Sequence, residues 1–158
     1  MKYVARLSWF TAFFVMISSS PLMSRTQPQF TCFTRSCGTS NDKVKNARLT
    51  ISPDPPQVNE YIKFYLSGIL TEQVDGGEVR AKGFFGTHVI SDQTYDLCNF
   101  LPTVNISCPL HTGPYEGASL SRHRIPPAIA PGEYGLVINA TDENHNSLLC
   151  FKFICSVY

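Results

Sequence analysis

The chain has 158 residues, with 13 Lys and Arg against 12 Asp and Glu and a formal net charge of +1. Near-neutral charge argues against a nucleic-acid binder held by counterion release. The length suits one domain with a moderate core.

The first stretch, "MKYVARLSWFTAFFVMISSS", sets Lys2 and Arg6 ahead of an apolar run from Leu7 to Ile17. That run is shorter than the roughly 20 residues a membrane helix needs, and its layout is that of a cleaved secretory signal. Residues 1–24 are therefore read as signal, with cleavage near Ser19 to Ser24, and 25–158 as one mature domain. Lys2 and Arg6 leave with the signal, so 11 basic residues face 12 acidic ones and the mature net charge is about −1. No later run is long enough to span a bilayer, so the expected product is soluble, either secreted or in the endolysosomal lumen.

Residues 25–36 read as a short lead-in. From there period-two alternation dominates and helical spacing is hard to find. In "NARLTI" Ala47, Leu49 and Ile51 share a face; in "YIKFYLSG" Ile62, Phe64 and Leu66 oppose Tyr61, Lys63 and Tyr65. "GEVRAKGFF" sets Val79, Ala81, Gly83 and Phe85 against Glu78, Arg80 and Lys82. "GEYGLVINATD" groups Tyr134, Leu136, Ile138 and Ala140, and turns Asn139 of the Asn139-Ala140-Thr141 sequon the opposite way, where a glycan has to be. The last run, "LLCFKFICSVY", sets Leu149, Phe151, Phe153 and Val157 against Lys152. Turn residues separate these runs at 52–56, 74–78, 125–133 and 142–147. Short strands with no long helix between them predict an all-β, immunoglobulin-like antiparallel sandwich.

All six cysteines (Cys32, Cys37, Cys98, Cys108, Cys150, Cys155) fall after the signal, which favours disulfides. Cysteines five apart on one strand are separated by about 16 Å, far beyond the roughly 7 Å a disulfide tolerates, which disfavours Cys150 with Cys155. The pairs Cys37 with Cys150 and Cys32 with Cys155 share one position sum, the register of an antiparallel pair, and leave Cys98 with Cys108. Positions 150 and 155 face opposite sides of an unbroken strand, so this pairing calls for a bulge or a frayed end. The rival reading takes the two C-x4-C knuckles as a four-cysteine zinc site, which the oxidising route disfavours. The spacing of Cys98 and Cys108 is not the C-x-x-C of a redox pair; as a staple it closes a loop that also holds the sequon Asn105-Ile106-Ser107.

Enzyme signals are absent from the motifs. His88, His111, His123 and His145 are scattered, and "GASLS" lacks the second glycine of a nucleophile elbow. Asp142-x-Asn144-x-Asn146 starts like a calcium loop, but Ser147 stands where glycine is required and no acidic residue closes it, so a hairpin turn explains it better. No metal, cofactor or catalytic group is assigned.

The order of "ISPDP", "GGEV", "FFG", "YDLC", "CPL", "PGEY" and "LLCFKF" resembles the ML (lipid-recognition) domain family, most closely its phosphatidylglycerol/phosphatidylinositol transfer branch, from about residue 37 to the C-terminus. The resemblance implies two sheets standing slightly apart with acyl chains between them. It also implies the pairs Cys37 with Cys150 and Cys98 with Cys108, while Cys155 stands where the branch has a buried apolar residue. Read alone, the apolar faces make an ordinary filled core. The resemblance turns Leu49, Ile62, Phe64, Leu66, Val79, Phe85, Tyr134, Leu136, Ile138, Phe151 and Phe153 into expected cavity walls. The expected mouth is Pro109, Leu110 and Tyr115, with Arg122 and Arg124 from the one dense basic cluster for an anionic headgroup. A glycan on Asn105 would crowd it. The implied function is a monomeric, non-enzymatic carrier that extracts and transfers a phospholipid, touching membranes transiently. The alternatives are a sterol carrier of the same fold and an adhesion module engaging an unidentified receptor.

Overall fold

A computed structural model of the chain describes residues 27–121 and 124–158; the predicted signal, 1–24, and Arg122 lie outside the described residues. Eight strands form: β1 (Phe30–Ser36), β2 (Val44–Ser52), β3 (Lys63–Leu70), β4 (Gly77–Phe85), β5 (His88–Asp96), β6 (Gly113–Leu120), β7 (Gly132–Asp142) and β8 (Ser147–Val157). One helical turn, α1 (Leu97–Phe100), and a 3-10 turn (Leu101–Val104) lie between β5 and β6. The strands make a five-stranded sheet of order β1-β8-β7-β4-β5 and a three-stranded sheet of order β2-β3-β6. Every pairing is antiparallel, so the expected all-β sandwich forms.

Alternation decides which residues meet. Val79, Ala81, Gly83 and Phe85 lie directly across from Ala140, Ile138, Leu136 and Tyr134, and Ile138 and Leu136 lie across from Phe151 and Phe153. These rows form the inner face of the larger sheet, because side chains two apart on a strand share a side. Leu49, Leu66 and Leu70 cover it from the smaller sheet, with Leu49 only 7% and Leu70 only 2% exposed. The two layers are stitched along one margin, where the Thr34 hydroxyl on β1 donates to the Leu49 carbonyl on β2 at 2.7 Å. On the opposite margin β5 is exposed along its whole length.

Four features depart from the sequence expectations. Residues 30–36 are an edge strand, not a lead-in. β5 and β6 carry no legible alternation: β5 buries neither face, and β6 is built largely from glycine, proline and small residues. In β8 the register slips opposite Ala140 and Thr141, so Leu148 enters the core beside Leu149; the extra residue of a bulge turns two neighbours inward. The bulge or fray expected for the cysteines does not occur. The β1–β8 register runs unbroken from Phe30 across from Val157 to Ser36 across from Phe151. Cys32 and Cys37 are themselves five apart, so each sits directly across from its partner, one pair on each side of the ribbon. The three disulfides are Cys32–Cys155, Cys37–Cys150 and Cys98–Cys108, which removes the zinc reading. Cys155 is 6% exposed, consistent with an apolar position.

Candidate functional site

The segment between β5 and β6 closes one end of the sandwich. The Asp96 carboxylate accepts the Asn99 N–H at 2.9 Å and starts α1, and Pro102 opens the 3-10 turn. Asn105, in the left-handed region with φ 61°, ends it; asparagine tolerates that conformation better than most residues. Leu97, Phe100, Leu101 and Val104 recur at helical spacing and turn inward, with Leu97, Leu101 and Val104 at 2%, 8% and 7% exposure. Cys98–Cys108 ties the ends of the segment, and Leu110 exchanges backbone hydrogen bonds with Val74 at 2.9 and 2.8 Å. Gly117 on β6 lets this roof lie close: a β-carbon there would come within 3.0 Å of Ile106 Cδ1 and the Val104 carbonyl.

Beneath the roof is a cavity of about 110 Å³. The larger sheet contributes Val79, Ile138, Ala140, Leu148 and Leu149, the smaller sheet Val44, Leu66 and Leu70. Leu97, Phe100, Leu101, Val104 and Ile106 form its ceiling, and Leu110 and Tyr115 border it. No lining residue carries a charge, and the Tyr115 hydroxyl accepts the His111 N–H at 2.7 Å. A space lined this way attracts hydrocarbon and holds nothing for a headgroup.

Of the eleven expected wall residues, Leu66, Val79 and Ile138 border this cavity. Leu49, Phe151 and Phe153 are buried further along the sandwich, at 7%, 4% and 8% exposure. Ile62, Phe64, Phe85, Tyr134 and Leu136 face inward but stay half-buried toward the end away from the roof. There Phe64 meets Phe153 edge-on at 6.1 Å, and Phe85 lies 4.9 Å from Tyr134. The cavity is thus short and placed at one end, not a tunnel along the whole interior.

Of the expected mouth, the four described residues, Pro109, Leu110, Tyr115 and Arg124, are not brought together. Leu110 and Tyr115 border the cavity and Pro109 is exposed beside them. β6 runs from Gly113 across from Leu70 to Leu120 across from Lys63, which puts Arg124 at the other end, its guanidinium 5.2 Å from the Tyr61 ring. Asn105 is exposed on the roof, and Asn139 is exposed on the outer face between Arg80 and Cys150. The ceiling residues escaped the sequence reading, although the spacing of 97, 100, 101 and 104 inside the cysteine loop is a helical signal.

The chain matches the family model described as "ML domain" over residues 31–157. It is 29% identical to a Dictyostelium discoideum protein provisionally named phosphatidylglycerol/phosphatidylinositol transfer protein 2, over 87% of this chain and 94% of that one. It is also 29% identical to the phosphatidylglycerol/phosphatidylinositol transfer protein of Aspergillus oryzae, over 72% of this chain and 64% of that one. Among solved structures it is similar to chicken MD-1 complexed with lipid IVa, with a TM-score of 0.60, 14% identity, and coverage of 82% of this chain and 91% of that one.

Proposed function

The chain belongs to the ML domain family, and from that premise we propose that it is a non-enzymatic carrier that takes up a phospholipid of the phosphatidylglycerol/phosphatidylinositol class and moves it between membranes. The observation that carries this reading is the uncharged cavity between the sheets under a disulfide-closed roof. The relatives' names support the ligand class. Three disulfides and the signal-like residues 1–24 support passage through an oxidising lumen.

The energetics define what the interior must do. Burying a methylene is worth about 0.8 kcal/mol, so a chain of roughly 14 resists leaving a bilayer by about 11 kcal/mol. A carrier offsets this only by surrounding the chain with apolar walls. At about 110 Å³ the cavity is smaller than one that holds benzene and well below the ~300 Å³ of small-ligand sites. Uptake therefore parts the two layers along the margin away from the Thr34–Leu49 stitch, with the Phe64–Phe153 contact between the layers giving way and the Phe85–Tyr134 pair staying with the larger sheet. The chain terminus lies under the roof, and the headgroup stays at the opposite end, on the side where Arg124 is found.

Native mass spectrometry with lipid extraction of the purified protein tests this. A co-purifying phospholipid is expected, followed by exchange between donor and acceptor vesicles. A lipid-free protein that exchanges nothing overturns the reading. Ala140→Leu, which fills the cavity, is expected to abolish lipid retention while leaving the protein folded. Arg124→Ala is expected to weaken pickup of phosphatidylinositol more than of phosphatidylcholine; equal losses remove the headgroup role.

A further inference from the structure

The β4–β5 hairpin ends the larger sheet at the end away from the roof. In its sequence, "FFGTHVI" (84–90), there is no carboxylate, lysine or arginine. Val89 is 53% exposed and Ile90 62%. The register slips here: Gly83 lies across from Ser91 but Phe84 across from Val89, so Ile90 is the extra residue of a bulge. Edge strands are ordinarily blunted by bulges and by charged side chains that deter further pairing; this bulge bears isoleucine. The β-carbon that Gly83 lacks would lie 3.6 Å from Ile90 Cγ1, which places Ile90 over the inner side of the sheet. On the same hairpin Phe85 turns inward against Tyr134, 4.9 Å away, and Gly83 lies across from Leu136. Exposed aliphatic surface thus adjoins the half-buried inner face along the margin where the layers are unstitched.

Resting on the carrier reading, we propose that this hairpin is a lip that enters the outer boundary of a phospholipid bilayer, Val89 and Ile90 dipping among the acyl chains as a lipid is loaded. A protein partner would be fixed by charge and shape around the patch, and the stretch offers no formal charge beyond what His88 acquires on protonation. A bilayer needs only apolar side chains on a rigid support, and a two-stranded hairpin anchored in a five-stranded sheet is one.

The test reads insertion directly. In the Ile90→Trp variant of the mature domain, 25–158, which lacks Trp9, the emission is expected to shift to the blue on adding phosphatidylcholine and phosphatidylglycerol vesicles. Brominated acyl chains are expected to quench it. Ile69→Trp, at a 45% exposed site on the outer face of the smaller sheet, serves as the control and is expected not to respond. Val89→Ser with Ile90→Ser is expected to lower vesicle partitioning roughly 10- to 100-fold, the worth of one to two aliphatic side chains returned to water. An unchanged spectrum with vesicles overturns the proposal, as does a shift that follows protein concentration alone, which would mark a second copy of the chain as the occupant. Co-purifying lipid is measured on the same samples. Lipid without insertion sinks the lip and leaves the carrier standing; insertion without lipid does the reverse.

Discussion

Asp142 is 1% exposed, and its carboxylate meets the Lys43 ammonium at 2.8 Å, the Asn146 amide at 3.0 Å and the N–H groups of Asn144 and Asn146 at 2.8 Å each. Burial alone would push this carboxyl up; the lysine, the amide and the two N–H groups outweigh it and hold it well below the usual carboxylate range. Lys43 is raised in turn, first by Asp142 and then by Glu72, 2.9 Å away. A carboxylate lowered by folding stabilises fully above its unfolded value near 3.9, and that stabilisation is lost as pH falls through the folded value. Asp142→Asn leaves the half-buried Lys43 without its main partner and removes the charge that the buried turn is built around, and it is expected to cost roughly 2 to 4 kcal/mol in urea unfolding. It is also expected to flatten the fall in stability below about pH 4; an equally steep fall in the variant would assign acid sensitivity to another group. The turn around Asp142 is legible because Asp and Asn accept nearby N–H groups, but Lys43 is not, since it arrives from a distant stretch. Asn105 and Asn139 are both exposed. Digestion with peptide N-glycosidase is expected to remove two glycans, and Asn105→Gln and Asn139→Gln are each expected to remove one.

At the scale of elements, the roof is the piece whose conformation depends on several weak devices acting together. An Asp96 cap, a Pro102 start, an Asn105 stop and the Cys98–Cys108 bridge hold four inward side chains over the cavity. Removing the bridge by Cys98→Ser with Cys108→Ser is expected to cost about 2 to 3 kcal/mol through loop entropy. It is also expected to speed the loss of bound lipid, seen as faster exchange between vesicles. Gly117→Val brings methyl groups against Val104 and Ile106 and is expected to lift the roof at a cost of about 1 to 3 kcal/mol; an unchanged thermal midpoint and unchanged lipid retention would contradict the close approach. The roof's helical spacing spans barely two turns, which is why strand alternation hides it. β5 escapes for the opposite reason: a strand that buries neither face has no alternation to read.

For the whole molecule, the proposed carrier function turns on the distance between the two sheets. One margin carries the Thr34–Leu49 bond and the roof lies toward the other; in the proposed carrier, ligand volume comes from separating layers that remain in contact at one side. A ligand bound only by the folded state adds stability in proportion to the logarithm of its saturation, about 2.7 kcal/mol at one hundred times Kd. Loading with phospholipid is therefore expected to raise the thermal midpoint of the wild type and not that of Ala140→Leu; equal rises would place the lipid elsewhere. The sequence by itself determined the strands with one buried face, the sidedness of Asn139, and the cysteine pairing along β1 and β8. Backbone geometry sets a period of two, and antiparallel register sets a constant position sum, so both are written in local spacing. Only the tertiary structure decided that the cavity is short, that Leu97, Phe100, Leu101 and Val104 roof it, that Arg124 and Tyr115 lie at opposite ends, and that Ile90 stands at an unstitched margin. Each of these depends on how far apart two layers settle when residues remote in the chain meet, and no spacing along one strand encodes that distance.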